Sequence, residues 1–400
     1  MTASAPPAAF TAEATDGTTA ARTGTLRLAR GTVRTPAFMP VGTLASVKGI
    51  APDELRAIGA EIVLANTYHL MLRPGEALVR DFGGVSRFMA WDGPVLTDSG
   101  GYQIFSLADR REITPDGARF RSHIDGSEHL LSPERAVEIQ AALGSDILMA
   151  LDVCPPADAD HAAVAESLEI THAWAVRCAE RKRALEAEEA AAGEPAADAP
   201  AGRIPVRAQA LFPIVQGGVH ADLRRRSVEA LLPLDAPGYA IGGVSVGEGP
   251  EAMRAVVHAT APLLPADRPR YLMGVGHPRD LLMAVEAGVD LFDCVLPTRN
   301  GRNGQAFTPD GRINLRNAVH RESRLPIDPD CDCPACTQFT RGYLRHLFLS
   351  GEMLASRLTS LHNLRFLLRL MEAARAAIRD GRLAAFAAET TARYLAGAGG

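Results

Sequence analysis

The sequence predicts an α/β protein: a (β/α)8 barrel with insertions and a C-terminal zinc-binding helical subdomain. Three observations carry this. Short apolar runs recur and stop on a polar residue or glycine: Pro94-Val95-Leu96-Thr97 on Asp98, Ile147-Leu148-Met149-Ala150-Leu151 on Asp152, Phe212-Pro213-Ile214-Val215 on Gln216, Tyr239-Ala240-Ile241 on Gly242-Gly243, and Val289-Asp290-Leu291-Phe292 on Asp293. Continuous apolar runs of this length mark strands buried on both faces, as in a parallel sheet covered by helices. Most are separated by segments of helical periodicity, and that alternation is what a barrel requires. The polar residues also fall at C-terminal strand ends, where a barrel gathers its catalytic groups around one pocket.

Taken in order, residues 1–20 read as a flexible N-terminal tail. The catalytic barrel spans residues 21–311, with Thr25–Ala29 and the Gly31–Arg34 turn forming a small hairpin at its base. The first barrel strand ends at Pro40-Val41-Gly42; the others are Glu61–Asn66, Val95–Asp98, Asp146–Asp152, Leu211–Gln216, Tyr239–Gly243, Arg270–Gly274 and Val289–Cys294. Apolar spacing predicts helices over Asp53–Gly59, Pro133–Leu143, Ala163–Arg183, Ala221–Leu232, Pro250–Leu264 and Pro278–Ala287. Ser132-Pro133 supplies a cap and a first-turn proline. Two insertions interrupt the pattern. Gln103–Leu131 contains a hairpin turning at Asp125-Gly126. Ala184–Ile204 is rich in Ala, Glu and Pro and reads as a solvated, partly helical, low-complexity excursion. Residues 312–400 hold the zinc-binding subdomain and two closing helices, Asn363–Asp380 and Leu383–Leu395.

At 400 residues the chain can bury a large core, and its mean hydropathy near zero is that of a soluble globular protein. No stretch approaches the roughly 18 apolar residues of a membrane span, and the polar, Ala/Thr-rich start has no signal-peptide pattern. These features predict a cytoplasmic enzyme with no membrane association. The net charge of −5 excludes a generally basic coat but not a local one, and from Arg299 to Arg324 six arginines face two acidic residues.

Three of the six cysteines crowd into Cys331-Asp332-Cys333-Pro334-Ala335-Cys336. Nothing argues for an oxidising compartment, so a metal is the better reading than a disulfide. Three thiolates call for a fourth tetrahedral ligand, from His346 or His362; His362 is favoured because it would pin the long helix onto the cysteine loop. The expected ion is one Zn2+ per chain, structural because three thiolates leave little Lewis acidity.

Five motifs in this order resemble tRNA-guanine transglycosylases: Asp98-Ser99-Gly100-Gly101-Tyr102-Gln103, Val215-Gln216-Gly217-Gly218, Gly242-Gly243-Val244-Ser245-Val246-Gly247-Glu248, Phe292-Asp293-Cys294-Val295-Leu296-Pro297-Thr298-Arg299, and the cysteine cluster followed by His362. The resemblance covers about residues 20–395. It implies exchange of guanine at the anticodon wobble position of tRNA, in a U-G-U context, for 7-aminomethyl-7-deazaguanine, as a step of queuosine biosynthesis. It further implies that Asp293 is the nucleophile at ribose C1′ and Asp98 the general acid/base. Ser99, Gly100, Gly101, Asp152, Gln216, Gly242, Gly243 and Val244 would line the base, with Tyr102 and Met273 on its two faces. Val246 resembles the bacterial members, which take the smaller deazaguanine. Val153 and Val244 depart from the Glu and Leu usual in those relatives. The resemblance also implies a homodimer joined through the C-terminal subdomain.

The chemistry agrees independently, because displacement at an anomeric carbon with retention uses two carboxylates. A carboxylate also suits guanine's N1–H and amino donors. RNA contacts are expected from Gly274, Val275, Gly276, His277, Pro278, Arg279 and Asp280 after the seventh strand. A second set is expected from Thr298, Arg299, Asn300, Gly301 and Arg302, read as a loop after the nucleophile. The target base must leave its stack to enter a barrel pocket, which favours an unpaired anticodon loop. Two rival readings are a catalytically inactive zinc-stapled RNA-binding barrel, which would be expected to lose a strand-end carboxylate, and a glycosidase, which leaves the arginines and the cysteines unexplained.

Overall fold

The computed structural model describes residues 7–107, 111–193 and 202–397. Eight parallel strands form its centre. The first is split by Pro40 into Ala37–Met39 and Val41–Gly42, and the fifth by Pro213 into Ala210–Phe212 and Ile214–Val215. The others are Val63–Ala65, Val95–Thr97, Ile147–Met149, Tyr239–Ile241, Arg270–Leu272 and Leu291–Asp293. Proline has no N–H to give a ladder, yet its carbonyl still accepts: Leu64 N–H donates to Pro40 and Ala240 N–H to Pro213, both at 2.9 Å. Each split strand therefore bonds one neighbour through its first half and the other through its second. Ala37 pairs with Leu291 and Val41 with Leu64; Ala210 pairs with Ile147 and Ile214 with Ala240. With the remaining pairings, the hydrogen bonding runs once round eight strands and returns to the first. The barrel is closed.

Met39, Leu64, Leu96, Met149, Phe212, Tyr271 and Leu291 fill the interior, joined by Leu26 and Val33 from the hairpin Arg22–Leu28/Gly31–Thr35. The hairpin thus packs into one end of the barrel and leaves the polar strand ends at the other.

Three expectations need correction. Residues 9–15 are not part of a loose tail: Ala9–Thr15 is a strand paired antiparallel with Arg22–Leu28. It is held by Phe10, whose ring lies under the Arg22 guanidinium at 4.7 Å and fills the space beside Gly24, where a Cβ would stand 2.7 Å from the ring; residues 1–6 lie outside the described residues. The 184–204 insertion is partly helical as expected, because the predicted Ala163–Arg183 helix runs on as His161–Ala192. Ion pairs Arg181–Glu188 and Lys182–Glu186 support this extension, and Glu189 accepts the Val206 N–H at 2.7 Å; residues 194–201 lie outside the described residues. The closing helix begins at Met353 rather than Asn363. The segment after the nucleophile strand is a helical turn, Leu296–Arg302, rather than a loop.

The predicted hairpin is present as Gly117–Arg121 and Glu128–Leu131, with Arg111–Thr114 as a third strand. Helix Met353–Arg379 ties the molecule together: Ala355 and Leu358 pack with Cys331 and Cys333, whereas Leu364, Leu367 and Met371 join the core outside the barrel strands. Among the described residues no helix is long and apolar enough to cross a membrane.

Candidate active site

Asp98, Asp152 and Asp293 stand at the C-terminal ends of the third, fourth and eighth strands, where the sequence placed them. Asp98 is buried and accepts from the Thr67 N–H at 2.9 Å, from Gln103 Nε2 at 3.1 Å and from Asn66 Nδ2. Burial raises its pKa to about 7; the Thr67 bond opposes the rise and the nearby Asp293 charge adds to it. Asp293 accepts from the Tyr271 hydroxyl at 2.6 Å and the Gly274 N–H at 2.8 Å, both on Oδ1. Burial raises its pKa too, against these two donors. Asp152 accepts from Gln216 Nε2 at 2.7 Å and Ser99 Oγ at 3.3 Å, and burial raises it to about 6. Two of these carboxyls therefore titrate near neutrality, the range that general acid/base catalysis uses.

The walls assemble as expected. Gly100 and Gly101 open the helix after Asp98, Ser99 Oγ accepts the Gly101 N–H at 3.2 Å, and Tyr102 is half exposed at the rim. Gly242, Gly243 and the buried Val244 follow the sixth strand, and Met273 is half-buried after the seventh. Gly243 has φ +64°, and a Cβ there would lie 2.2 Å from Gln216 Oε1, so only glycine lets the two walls meet. Val153 is buried, and its N–H donates to Thr171 Oγ1 at 3.1 Å.

The residues expected to face RNA divide in two. Gly274 and Arg299 are exposed, and His277, Arg279, Asp280, Asn300 and Arg302 are partly so. Val275, Pro278 and Thr298 are buried. Gly276 packs on Cys294 and Gly301 on Ser360. These five shape the segments and present no surface to a partner.

Cys331, Cys333, Cys336 and His362 bring four ligand atoms within 4.8 Å of one another, all buried, and could hold a metal ion. His362 Nδ1 lies 3.2 Å from Cys336 Sγ and 3.6 Å from Cys333 Sγ, while Nε2 donates to the Phe307 carbonyl at 2.7 Å. His346 is exposed and takes no part.

The queuine tRNA-ribosyltransferase family model matches residues 16–396. The chain belongs to that family. It is 53% identical over 391 residues to the queuine tRNA-ribosyltransferase of Solidesulfovibrio magneticus, covering 98% of this chain and 99% of that one. It is 54% identical to that of Novosphingobium aromaticivorans, with 97% and 98% covered, and 52% identical to that of Halothermothrix orenii, with 94% and 95% covered.

In this queuine tRNA-ribosyltransferase family member, sequence reasoning named Ser99, Gln216 and Gly274 but missed Asn66, Thr67, Gln103 and Tyr271 among the groups that hold the carboxylates. Asn66 ends a predicted strand as Asp98 does, which was signal enough to place it in the pocket; its side chain also accepts the His69 N–H and so caps the helix Thr67–Leu72. Tyr271 gave no such signal, since it reads as one more apolar residue within a strand.

A carboxyl so far displaced predicts a pH-dependent cost to the fold. Unfolded Asp98 titrates near 3.8 and folded Asp98 near 7. The native state holds the proton more tightly, so this site's contribution is full below about pH 4 and lost as pH rises through about 7, with a ceiling of about 4 kcal/mol for roughly three units. Asp98→Asn is expected to gain stability over the unsubstituted protein between pH 5 and pH 8 in urea melts. A difference independent of pH would show that Asp98 is not displaced.

Proposed function

We propose that this chain is a tRNA-guanine transglycosylase of queuosine biosynthesis, acting on the wobble guanine of U-G-U anticodon loops and inserting 7-aminomethyl-7-deazaguanine. The observation that carries the reading is the pair Asp98 and Asp293, a buried and a half-buried carboxyl at the ends of the third and eighth strands, near enough that the Asp293 charge helps to raise Asp98 yet held by different donors. Tyr271 and Gly274 both take Oδ1 of Asp293, which leaves Oδ2 as the nucleophilic oxygen. As the Oδ2–C1′ bond forms, the C1′–N9 bond breaks, and its electron pair leaves with guanine while Asp98 delivers a proton. In the second half the incoming base gives its N9 proton to Asp98, its nitrogen attacks C1′, and Asp293 departs as carboxylate. Two inversions give net retention. Asp152 would accept from the base's N1–H and amino group, with Tyr102 and Met273 on its faces.

The incoming base is inferred from Val246, half-buried in the Gly242–Glu248 loop. Tetrahedral zinc with these ligands places donor atoms about 3.5–3.8 Å apart, which suits the cluster. Cys331, Cys333, Cys336 and His362 would hold it, with the Phe307 carbonyl fixing the imidazole. Bound there, zinc would supply folding energy rather than chemistry. A second copy of the chain would cover the exposed apolar residues Val319, Leu325, Tyr343, Leu349 and Met353. Cytoplasmic location follows from the tRNA substrate.

Radiolabelled guanine should enter a U-G-U anticodon stem-loop and not one carrying A for G. No incorporation by metal-loaded protein would favour an inactive RNA-binding barrel. Arg302 ends the helix Leu296–Arg302 that follows the nucleophile strand, and its side chain is partly exposed there. Arg302→Ala should weaken stem-loop binding or relax the demand for the flanking uridines, a lost base contact costing about 1–3 kcal/mol. Unchanged affinity and specificity at two salt concentrations would place the RNA elsewhere.

A further inference from the structure

Arg224 is fully buried on the helix Ala221–Leu231, and its bonds go to four main-chain carbonyls rather than to a carboxylate. Nε donates to Gly218 at 2.8 Å, Nη1 to Val215 at 3.0 Å and to Gly242 at 2.7 Å, and Nη2 to Gly243 at 3.2 Å. One guanidinium therefore clamps the end of the fifth strand, which carries Gln216, to the end of the sixth, which carries Gly243. Glu248, whose charge it feels, is itself bonded to the amides of Ser245, Val246 and Gly247. Burial lowers the Arg224 pKa only to about 10, so it stays charged at neutral pH.

In a trans peptide the N–H points opposite to the C=O. Drawing the Gly242 and Gly243 carbonyls toward Arg224 turns the amides of Gly243 and Val244 the other way. The Gly243 N–H accordingly lies against the Cys154 thiol, two residues beyond Asp152. A charged donor on a peptide carbonyl also strengthens that peptide's own N–H as a donor. We propose that Arg224 is a positioning residue for base specificity: it fixes and polarises the Gly243 amide as the donor that reads an acceptor at the 6-position of the purine. This rests on the transglycosylase reading and deepens it.

The test compares guanine with 6-thioguanine, which keeps N1–H and the amino group but offers a weaker acceptor. Both are measured as exchange substrates of the metal-loaded enzyme with a U-G-U stem-loop. Arg224→Lys keeps the charge but cannot span four carbonyls. It is expected to raise the KM for guanine about tenfold, to lower the preference for guanine over 6-thioguanine at least fivefold, and to leave the KM for RNA within twofold. If the lysine variant does not fold, Arg224→Gln, which buries no charge, takes its place. A variant that is slower or less stable but keeps the preference of the unsubstituted enzyme would overturn the proposal. Failure of the unsubstituted enzyme to incorporate guanine would instead overturn the activity on which it rests.

Discussion

Asp293→Asn is expected to abolish guanine exchange, lowering the rate by at least about four orders of magnitude, while stem-loop affinity stays within a few-fold. The amide keeps the size of the carboxylate and an acceptor for Tyr271 and Gly274, but it cannot form the glycosyl ester that splits one difficult displacement into two. The covalent RNA–protein band seen with the unsubstituted enzyme on a denaturing gel should be missing. A band of normal intensity from the variant would assign the nucleophile to another residue, and the arrangement leaves Asp98 as the next carboxyl to examine.

Loss of the metal should be the most damaging change to the fold. Cys331, Cys333 and Cys336 bury their side chains in a cluster of only twelve buried residues that also holds Leu315, Ile327, Leu344, Leu347, Phe348 and Leu358. Without an ion, three thiols would crowd one imidazole nitrogen and hold the loop only by weak sulfur hydrogen bonds. Structural zinc contributes on the order of 10 kcal/mol to the folding of small domains. Chelation, or His362→Ala, is therefore expected to lower the melting temperature by about 10 °C or more and to expose residues 305–365 to proteolysis. His362→Ala also frees the Phe307 carbonyl. Metal content measured on His346→Ala should stay at that of the unsubstituted protein; loss of metal there with retention in His362→Ala would reverse the ligand assignment.

How far the sequence reached depended on the kind of signal each element sends. Barrel strands announced themselves because both faces are buried, so their apolar runs are unbroken, and Pro40 and Pro213 fall where a split strand turns from one neighbour to the next. Runs that continued past the ladder, such as Ala150 and Leu151, read as strand although the ordered pairing ends at Met149. The first turns of the closing helix were illegible for a different reason. Thr359, Ser360, His362 and Asn363 are buried among Ala355, Leu358 and Leu361, so polar residues interrupt the apolar period of the buried face. Ser360, His362 and Asn363 find their partners on backbone outside the helix: Asn363 Nδ2 donates to the Pro297 and Gln305 carbonyls at 3.0 and 2.9 Å and its Oδ1 accepts the Phe307 N–H at 2.9 Å.

The same division runs through the site. Asp98, Asp152 and Asp293 were legible because carboxylates at barrel strand ends are costly to bury and rarely there by accident. Gln103, Tyr271 and Arg224 were not, since each acts through a geometry that only closure of the barrel creates. Arg224 sits in a run of three arginines on a helix whose other two are exposed, and nothing in the sequence separates it from them.

The most direct measurement of the central claim is the location of the covalent bond. RNA trapped on the enzyme in the absence of an incoming base can be digested with nuclease and protease, and the residual nucleotide placed by mass on a peptide. The ribosyl group should lie on Asp293, within the peptide between Arg279 and Arg299. A ribosylated residue anywhere else, or exchange at full rate with no adduct at any time point, would contradict the account.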